Sequence, residues 1–407
     1  MNIWIFNHYA ITPELSGGTR HFDFAKELTE RGYNVTIFAS SFHYSLLRET
    51  KYYGKSSYII EDYDGIRFVW IGTFPYSKND WRRVLNMLSY SVGAYKTAKK
   101  INIEKPNVII GSSVHLFSVY TAYLLSKHFN IPFIMEVRDL WPQTLIDMGV
   151  SRWNPFVILL GILEKFLYKR AKKIISLLPK AYEYITSLGI PLEKIVWIPN
   201  GVDLKKFENI EGNFGKRTKF KVLYAGAHGI ANGLDTLLNS ARILKEKGYS
   251  GISIELVGDG PEKQRLMKRT LEEGLDNVSF RDPVKKDKIP KVLSEADVLF
   301  FNLLAKDTFK YGISSNKLFD YLSSGRPVIF ASNASNNPVE EAKAGITVPP
   351  ENPEAIAEAI INLYKMNEEE RFKMGNNGKK YVEKYHSIPV LVDKLETVIQ
   401  EALTAAN

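Results

Sequence analysis

Cysteine is missing altogether from the 407 residues. That excludes disulfides, thiol nucleophiles, cysteine zinc sites and iron–sulfur clusters. Histidine is scarce: its seven copies stand at positions 8, 21, 43, 115, 128, 228 and 386, too far apart along the chain for a local histidine metal motif. Short repeats and low-complexity tracts are also absent. Residues 1–8 have no basic lead-in, and their apolar run is too short for a signal peptide. One uncharged stretch, residues 106–126, has the length of a membrane span, but Gly111-Ser112-Ser113 splits it, and Asn107 and His115 would be costly in lipid. A buried strand over 107–110 followed by an amphipathic helix over 114–127 explains it better. The expectation is a cytoplasmic protein, or one peripheral to the inner face of the cytoplasmic membrane.

What is present is globular: 45% hydrophobic, 12% aromatic and 24% charged residues, over a length that suits two or three domains. The net charge of +9 is uneven, with +8 on residues 1–200 and +1 on the remainder. A basic first half suits solubility alone, or an anionic partner such as a membrane surface.

Short apolar strands alternate with helical patterns almost from end to end. Strands are expected at 2–6, 34–39, 66–71, 107–110, 132–137, 173–176 and 194–198, then at 220–225, 252–257, 277–280, 297–301 and 327–330. Near-continuous apolar strands bounded by helices argue for parallel sheets covered on both faces. Pro199-Asn200-Gly201-Val202-Asp203 interrupts the pattern, and a polar Lys/Gly-rich stretch to about Thr218 reads as a linker. The expected class is α/β, with two Rossmann-like doubly wound domains facing across a cleft. Their boundaries fall at 1–199 and 200–385, with a final helix over 386–407 free to pack back on the first domain.

Three segments could carry chemistry. Ser16-Gly17-Gly18-Thr19-Arg20 lies between the first strand and first helix; it is either a plain tight turn or a loop that lets backbone approach an anion at the helix N-terminus. Gly226, His228 and Gly229 open the second half in the same topological place. There His228 is either a solvent-facing loop residue or a phosphate contact. In the third segment, Gly312-Ile313-Ser314-Ser315-Asn316-Lys317 starts a helix, and Lys317 in its first turn opposes the helix dipole, which points to an anion at that place. Asp320 follows on the same face.

This last segment resembles the nucleotide-sugar site of retaining glycosyltransferases of family 4, which have the GT-B fold. The resemblance extends along the chain through Ile195-Val196-Trp197-Ile198-Pro199-Asn200-Gly201-Val202-Asp203, Val257-Gly258-Asp259-Gly260-Pro261 and Asn277-Val278-Ser279-Phe280. Glu136-Val137-Arg138-Asp139-Leu140-Trp141-Pro142 resembles the branch that builds O-antigen and capsule repeats. The resemblance implies that Gly17 and Gly18 approach the donor diphosphate, that Asp320 holds the ribose hydroxyls, that Val284 flanks the nucleobase, and that Ser314, Ser315 and Asn316 line the donor site. Two positions depart from the family pattern. Gly312 replaces the first glutamate of the E-x7-E motif, and the Arg and Lys that clamp the diphosphate are missing, with His228 and Asn232 in their region. Lys317 is the candidate replacement cation and Asp139 the candidate carboxylate near the reacting carbon.

A rival reading takes Asp62 and Asp64 as the D-x-D metal motif of a GT-A transferase, but Asp64-Gly65 is a strong turn dipeptide. For a membrane surface, Trp81, Arg82 and Arg83 begin an apolar and basic helical pattern that Lys96, Lys99 and Lys100 extend, and residues 153–160 form a second apolar stretch. The reading is a metal-independent transferase without cofactor. It moves a sugar, an N-acetylated amino sugar by resemblance, from a UDP-sugar to a polyprenyl-diphosphate-linked saccharide in surface polysaccharide synthesis, with no nucleic-acid partner. The alternatives are a UDP-sugar 2-epimerase of the same fold and an inactive anion- or lipid-binding homologue.

Overall fold

The computed structural model describes residues 1–15, 17–44, 46–78, 80–147, 149–208, 219–305 and 307–404. The chain divides into two compact units, one of Met1–Pro199 with Ile388–Asn407, the other of Asn200–Ser387.

The first unit runs β1 (Asn2–Phe6), α1 (Arg20–Glu30), β2 (Asn34–Ser40), the small hairpin β3 (Phe42–His43) and β4 (Arg48–Glu49), β5 (Tyr58–Tyr63) and β6 (Ile66–Ile71). It continues with α2 (Trp81–Lys100), β7 (Val108–Ser112), α3 (Leu116–Phe129), β8 (Phe133–Val137), α4 (Gln143–Asp147), α5 (Pro155–Arg170), β9 (Lys173–Ser176), α6 (Ala181–Ser187) and β10 (Ile195–Trp197). The large sheet has the order β10-β9-β8-β7-β1-β2-β6-β5. The residues first read as a possible membrane span are β7 and most of α3. Every pairing in this sheet is parallel except that of β5 with β6. The all-parallel expectation fails at this edge because Asp64 and Gly65 both adopt positive φ, 54° and 81°, the requirement of a tight hairpin turn. Asp62 Oδ1 accepts from Gly65 N at 2.9 Å, so the D-x-D pattern is a turn device.

In the second unit the order is β11 (Phe220–Ala225), α7 (Leu234–Glu246), β12 (Ile252–Val257), α8 (Lys263–Glu272), β13 (Val278–Arg281), α9 (Ile289–Ser294) and β14 (Val298–Asn302). Then come α10 (Asn316–Ser323), β15 (Val328–Ala331), α11 (Pro338–Glu341), β16 (Gly345–Val348), α12 (Pro353–Lys365) and α13 (Glu368–Tyr385). The sheet order is β13-β12-β11-β14-β15-β16, all parallel. Of the stretch read as a linker, residues 209–218 lie outside the described residues.

The last helix, α14 (Ile388–Thr404), packs on α1 in the first unit. Its Leu391, Val392, Leu395, Val398 and Ile399 recur at helical spacing and share one core with Phe24 and Leu28 of α1 and with β1, β2 and β6. His386 and Ser387 stay with the second unit, where Val202 N donates to His386 O at 3.0 Å.

One buried carboxyl in the first unit bears on pH. Glu164 of α5 is almost fully enclosed, and the hydroxyls of Tyr168 and Tyr184 donate to it at 2.9 and 2.7 Å. Burial pushes its pKa up to about 8, against the smaller opposing effect of the tyrosines. The folded protein therefore holds a proton between about pH 4.5 and 8 that the unfolded chain releases. Stability should fall as pH rises through that window, with a slope of at most about 1.4 kcal/mol per pH unit. Denaturant titrations from pH 5 to 8 should show this slope, and Glu164→Gln should flatten it.

Candidate functional site

Parallel doubly wound sheets bind ligands beyond the carboxyl ends of the strands, where neighbouring strands lead to connections on opposite sides. In the second unit that point lies between β11 and β14, the central neighbours in the strand order. The loop after β11 carries Gly226, His228 and Gly229, and the loop after β14 leads to α10.

Lys317, in the first turn of α10, reaches back to the β11 loop. Its ammonium donates to Asn232 Oδ1 at 3.0 Å and to Tyr224 OH at 3.2 Å, and lies 4.5 and 4.9 Å from the ring centres of Tyr224 and Phe301. Among the described residues its hydrogen-bond partners are these two neutral oxygens, and no ion pair to a carboxylate joins them. Burial lowers its pKa to about 7. An enclosed cation held only by neutral oxygens and aromatic faces is set up to receive an anion. Asn232 and Lys317 lie 85 residues apart in the chain, and the strand order brings the β11 loop and the start of α10 together.

The neighbouring backbone is fixed tightly. Asn302 Nδ2 donates to the carbonyls of Asn232 and Gly233 at 2.7 and 3.0 Å. A Cβ on Gly226 would come within 2.9 Å of Lys317 Cδ, so glycine leaves room for the lysine stem. His228 does not face solvent; it is wholly buried, and neither ring nitrogen has a hydrogen-bond partner. Burial first, then the charges of Lys263 and Lys317, lower its pKa to about 4 against the opposing pull of Asp259, so it stands neutral.

Other predicted donor residues take different places. Ser314 accepts from Asn200 N at 2.8 Å through its hydroxyl and from Asn200 Nδ2 at 2.6 Å through its carbonyl, so it anchors the start of the second unit. Ser315 is the N-cap of α10 without a side-chain cap bond, and Asn316 begins the helix. Asp320 is half-buried one turn on from Lys317, and Val284 packs on the core in the loop after β13. Gly312 has φ 94°, a backbone that only glycine adopts without strain.

In the first unit the corresponding point lies between β1 and β7. Gly17 and Gly18 precede α1, Gly17 with φ 145° and a Cβ position blocked by Ile11 at 2.7 Å; Ser16 lies outside the described residues. Asp139 is exposed just past β8, next to Arg138. Below these loops lies a buried network that sequence reading missed. Arg20 Nε donates to Glu136 Oε2 at 2.9 Å, His21 Nε2 faces Glu136 Oε1 at 2.8 Å, and Ser112 Oγ donates to Oε1 at 2.8 Å. Burial alone would raise the Glu136 pKa, but Arg20 and His21 hold it well below the usual carboxylate range. Arg20 also donates to the carbonyls of Ile198, at 3.0 Å, and Pro199.

A second network sets a tautomer. Ser118 N donates to His115 Nδ1 at 3.1 Å, so His115 Nε2 carries the proton and donates to His8 Nδ1 at 2.9 Å. His8 Nε2 therefore carries a proton too, and among the described residues it has no acceptor.

On α2, Trp81, Leu85 and Leu88 point outward, Trp81 at 63% exposure, and Arg82, Lys96, Lys99 and Lys100 are exposed with them. Arg83, grouped with them by sequence, is instead half-buried and interacts with Tyr9. No described helix is long and apolar enough to cross a membrane.

Residues 16–206 match the family model described as Glycosyltransferase Family 4, and residues 219–366 match the model for glycosyl transferases group 1. The chain is 21% identical over 302 residues to the putative colanic acid biosynthesis glycosyl transferase WcaI of Escherichia coli, covering 70% of this chain and 73% of that protein. Among solved structures, sucrose-phosphate synthase from Thermosynechococcus elongatus superposes with a TM-score of 0.76 at 18% identity, covering 99% of both chains. Anabaena HepE in complex with UDP and glucose superposes with a TM-score of 0.68 at 13% identity, covering 98% of this chain and 99% of that one. With two parallel α/β units and family matches across both, the chain belongs to the family 4 glycosyltransferases of the GT-B fold.

Proposed function

We propose that this glycosyltransferase moves an N-acetylated amino sugar from a UDP-sugar to a polyprenyl-diphosphate-linked saccharide, with retention of configuration and without a metal ion. The observation that carries the donor half is the Lys317 ammonium, enclosed at the carboxyl end of a parallel sheet and, among the described residues, without an ion pair to a carboxylate. Lys317 and the first N–H groups of α10 neutralise the leaving diphosphate. Asp320 holds the ribose, while Gly17 and Gly18 give the diphosphate backbone access. Asp139 is the candidate carboxylate near the reacting carbon. The complex of HepE with UDP and glucose and the colanic acid relative support a nucleotide-sugar donor and a polysaccharide setting.

A thermal-shift panel of UDP, GDP, ADP and dTDP sugars tests the donor, since a ligand that binds only the folded state raises its stability. UDP sugars should give the largest shift. Asp320→Ala should weaken UDP binding by about tenfold to hundredfold by calorimetry. Turnover should persist in EDTA; its loss, with rescue by Mn²⁺, would remove the metal-free mechanism.

The acceptor half rests on the basic first domain. We place its membrane contact on the outward face of α2, where Trp81, Leu85 and Leu88 stand with Arg82, Lys96, Lys99 and Lys100. Lys and Arg near an anionic surface contribute about 1 kcal/mol each, and salt screens the attraction. Changing Arg82, Lys96, Lys99 and Lys100 together to Ser should release the protein from anionic vesicles and leave UDP binding intact. Equal sedimentation with neutral and anionic vesicles would mean that the charge serves solubility.

A further inference from the structure

The first unit contains a cavity of about 190 Å³ between α2, the start of α3, α4 and α5. Val84, Met87, Phe117, Leu145, Phe156 and Leu160 supply most of its apolar wall. On α2 the cavity belongs to a single helical stripe. Asp80, Val84 and Met87 line it, while Ser91, Ala94 and Ala98, further along the same stripe, are buried. The stripe is thus closed by packing in its later turns and left open in its first two.

The few polar groups at the cavity are specific. Arg83 and His115 line it, and the charge of Arg83 acts on His8 and His115, both of which burial already keeps neutral. The carboxylate of Asp80 is occupied as the N-cap of α2, accepting from Arg82 N at 2.9 Å. Trp141 also lines the cavity, and its indole N–H is buried with no acceptor among the described residues. A saccharide does not suit this wall, because most of its hydroxyls would lie unpaired against carbon. An apolar cavity of about 150 Å³ is large enough to hold benzene. At the rim, Phe156 is 40% exposed and is followed along α5 by the exposed Leu159 and Ile162.

We propose that this cavity holds the head-proximal part of an alkyl or isoprenoid chain whose phosphate meets Arg83, so that the enzyme recognises the lipid of its acceptor as well as the sugar. The proposal rests on the lipid-linked acceptor reading and adds the place where the lipid is read. The chain runs along Val84, Met87 and Leu160 and leaves past Phe156 toward the apolar face of α5. Trp141 donates to an oxygen at the polar end.

The test uses farnesyl diphosphate as probe, with inorganic pyrophosphate, farnesol and dioctanoyl phosphatidylglycerol as controls, by calorimetry on the full chain. Farnesyl diphosphate should bind at least about tenfold more tightly than pyrophosphate or farnesol, since both the apolar chain and the charge contribute. Leu160→Trp and Val84→Trp, which fill the cavity from two sides, should each remove that advantage while UDP binding stays unchanged; if one fails to fold, the other decides. Arg83→Gln should weaken farnesyl diphosphate and leave farnesol unaffected. Unchanged farnesyl diphosphate binding in a folded cavity-filling variant overturns the proposal. Phosphatidylglycerol binding as tightly as farnesyl diphosphate overturns it too, because the site would then take bilayer lipid. Sugar transfer to a lipid-linked acceptor with unchanged KM in Leu160→Trp removes the cavity while leaving the acceptor reading intact. Failure of the wild-type enzyme to use any lipid-linked acceptor removes the reading itself.

Discussion

Lys317→Met is expected to reduce kcat/KM by about 10²- to 10³-fold, the loss typical of deleting one preorganised group that stabilises developing negative charge. The methionine keeps the stem that passes Gly226 and removes only the ammonium. The same residue gives a pH signature. In the free protein the lysine releases its proton near pH 7, because burial disfavours its charged form. A bound diphosphate favours the charged form, so above that pH donor binding must take up a proton and the affinity for UDP falls. Below it the lysine is already charged and this dependence disappears. Calorimetry in two buffers of different ionisation enthalpy measures the proton uptake. Lys317→Met should abolish it; a folded variant with wild-type UDP affinity and the same pH slope would place the diphosphate elsewhere.

Arg20→Met should destabilise the first unit by about 3–5 kcal/mol, the cost of leaving a buried charge without its partner. Glu136 would keep His21 and Ser112 beside it and the charge of Arg138 nearby, but would lose the Arg20 guanidinium that pairs with it in the core. The carbonyls of Ile198 and Pro199 would lose their donor as well. Denaturant unfolding of Arg20→Met, Glu136→Gln and the double variant would give the coupling directly. A double variant more stable than Arg20→Met would identify the orphaned carboxylate as the main cost. Additive losses would assign the cost to the carbonyl contacts instead.

Local pattern carried the fold a long way. Strands β11 and β12 coincide with the runs 220–225 and 252–257, because every fully buried position in them is apolar and only the half-buried Lys221, Ser253 and Glu255 interrupt the runs. Strand β16 escaped notice because Gly345–Val348 is short, with only Val348 buried. The Asp64-Gly65 turn was legible, but the antiparallel strand β5 before it was not, because none of Tyr58–Tyr63 is fully buried and Glu61 and Asp62 break its apolar pattern. At the site, Lys317 was legible from its unfavourable place in a first helical turn. Its partners were not: Tyr224 and Asn232 lie 93 and 85 residues away, and only the sheet order brings them together. The Arg20–Glu136 pair spans 116 residues and joins two motifs that had each been noted separately. The cavity was invisible for a similar reason, being a gap between four helices rather than a property of any one.

The position of α14 in the chain has a consequence for synthesis. The second unit is one continuous segment, Asn200–Ser387, so it can finish folding as soon as it has left the ribosome. The first unit cannot, because Ile388–Thr404 completes its core and is translated only after the whole of the second. At about 5–20 residues per second, that is a wait of roughly 10–40 s. Meanwhile α1 presents to solvent the apolar stripe that α14 will cover. A chaperone that shields this stripe would act on the half of the enzyme made first, and release it last.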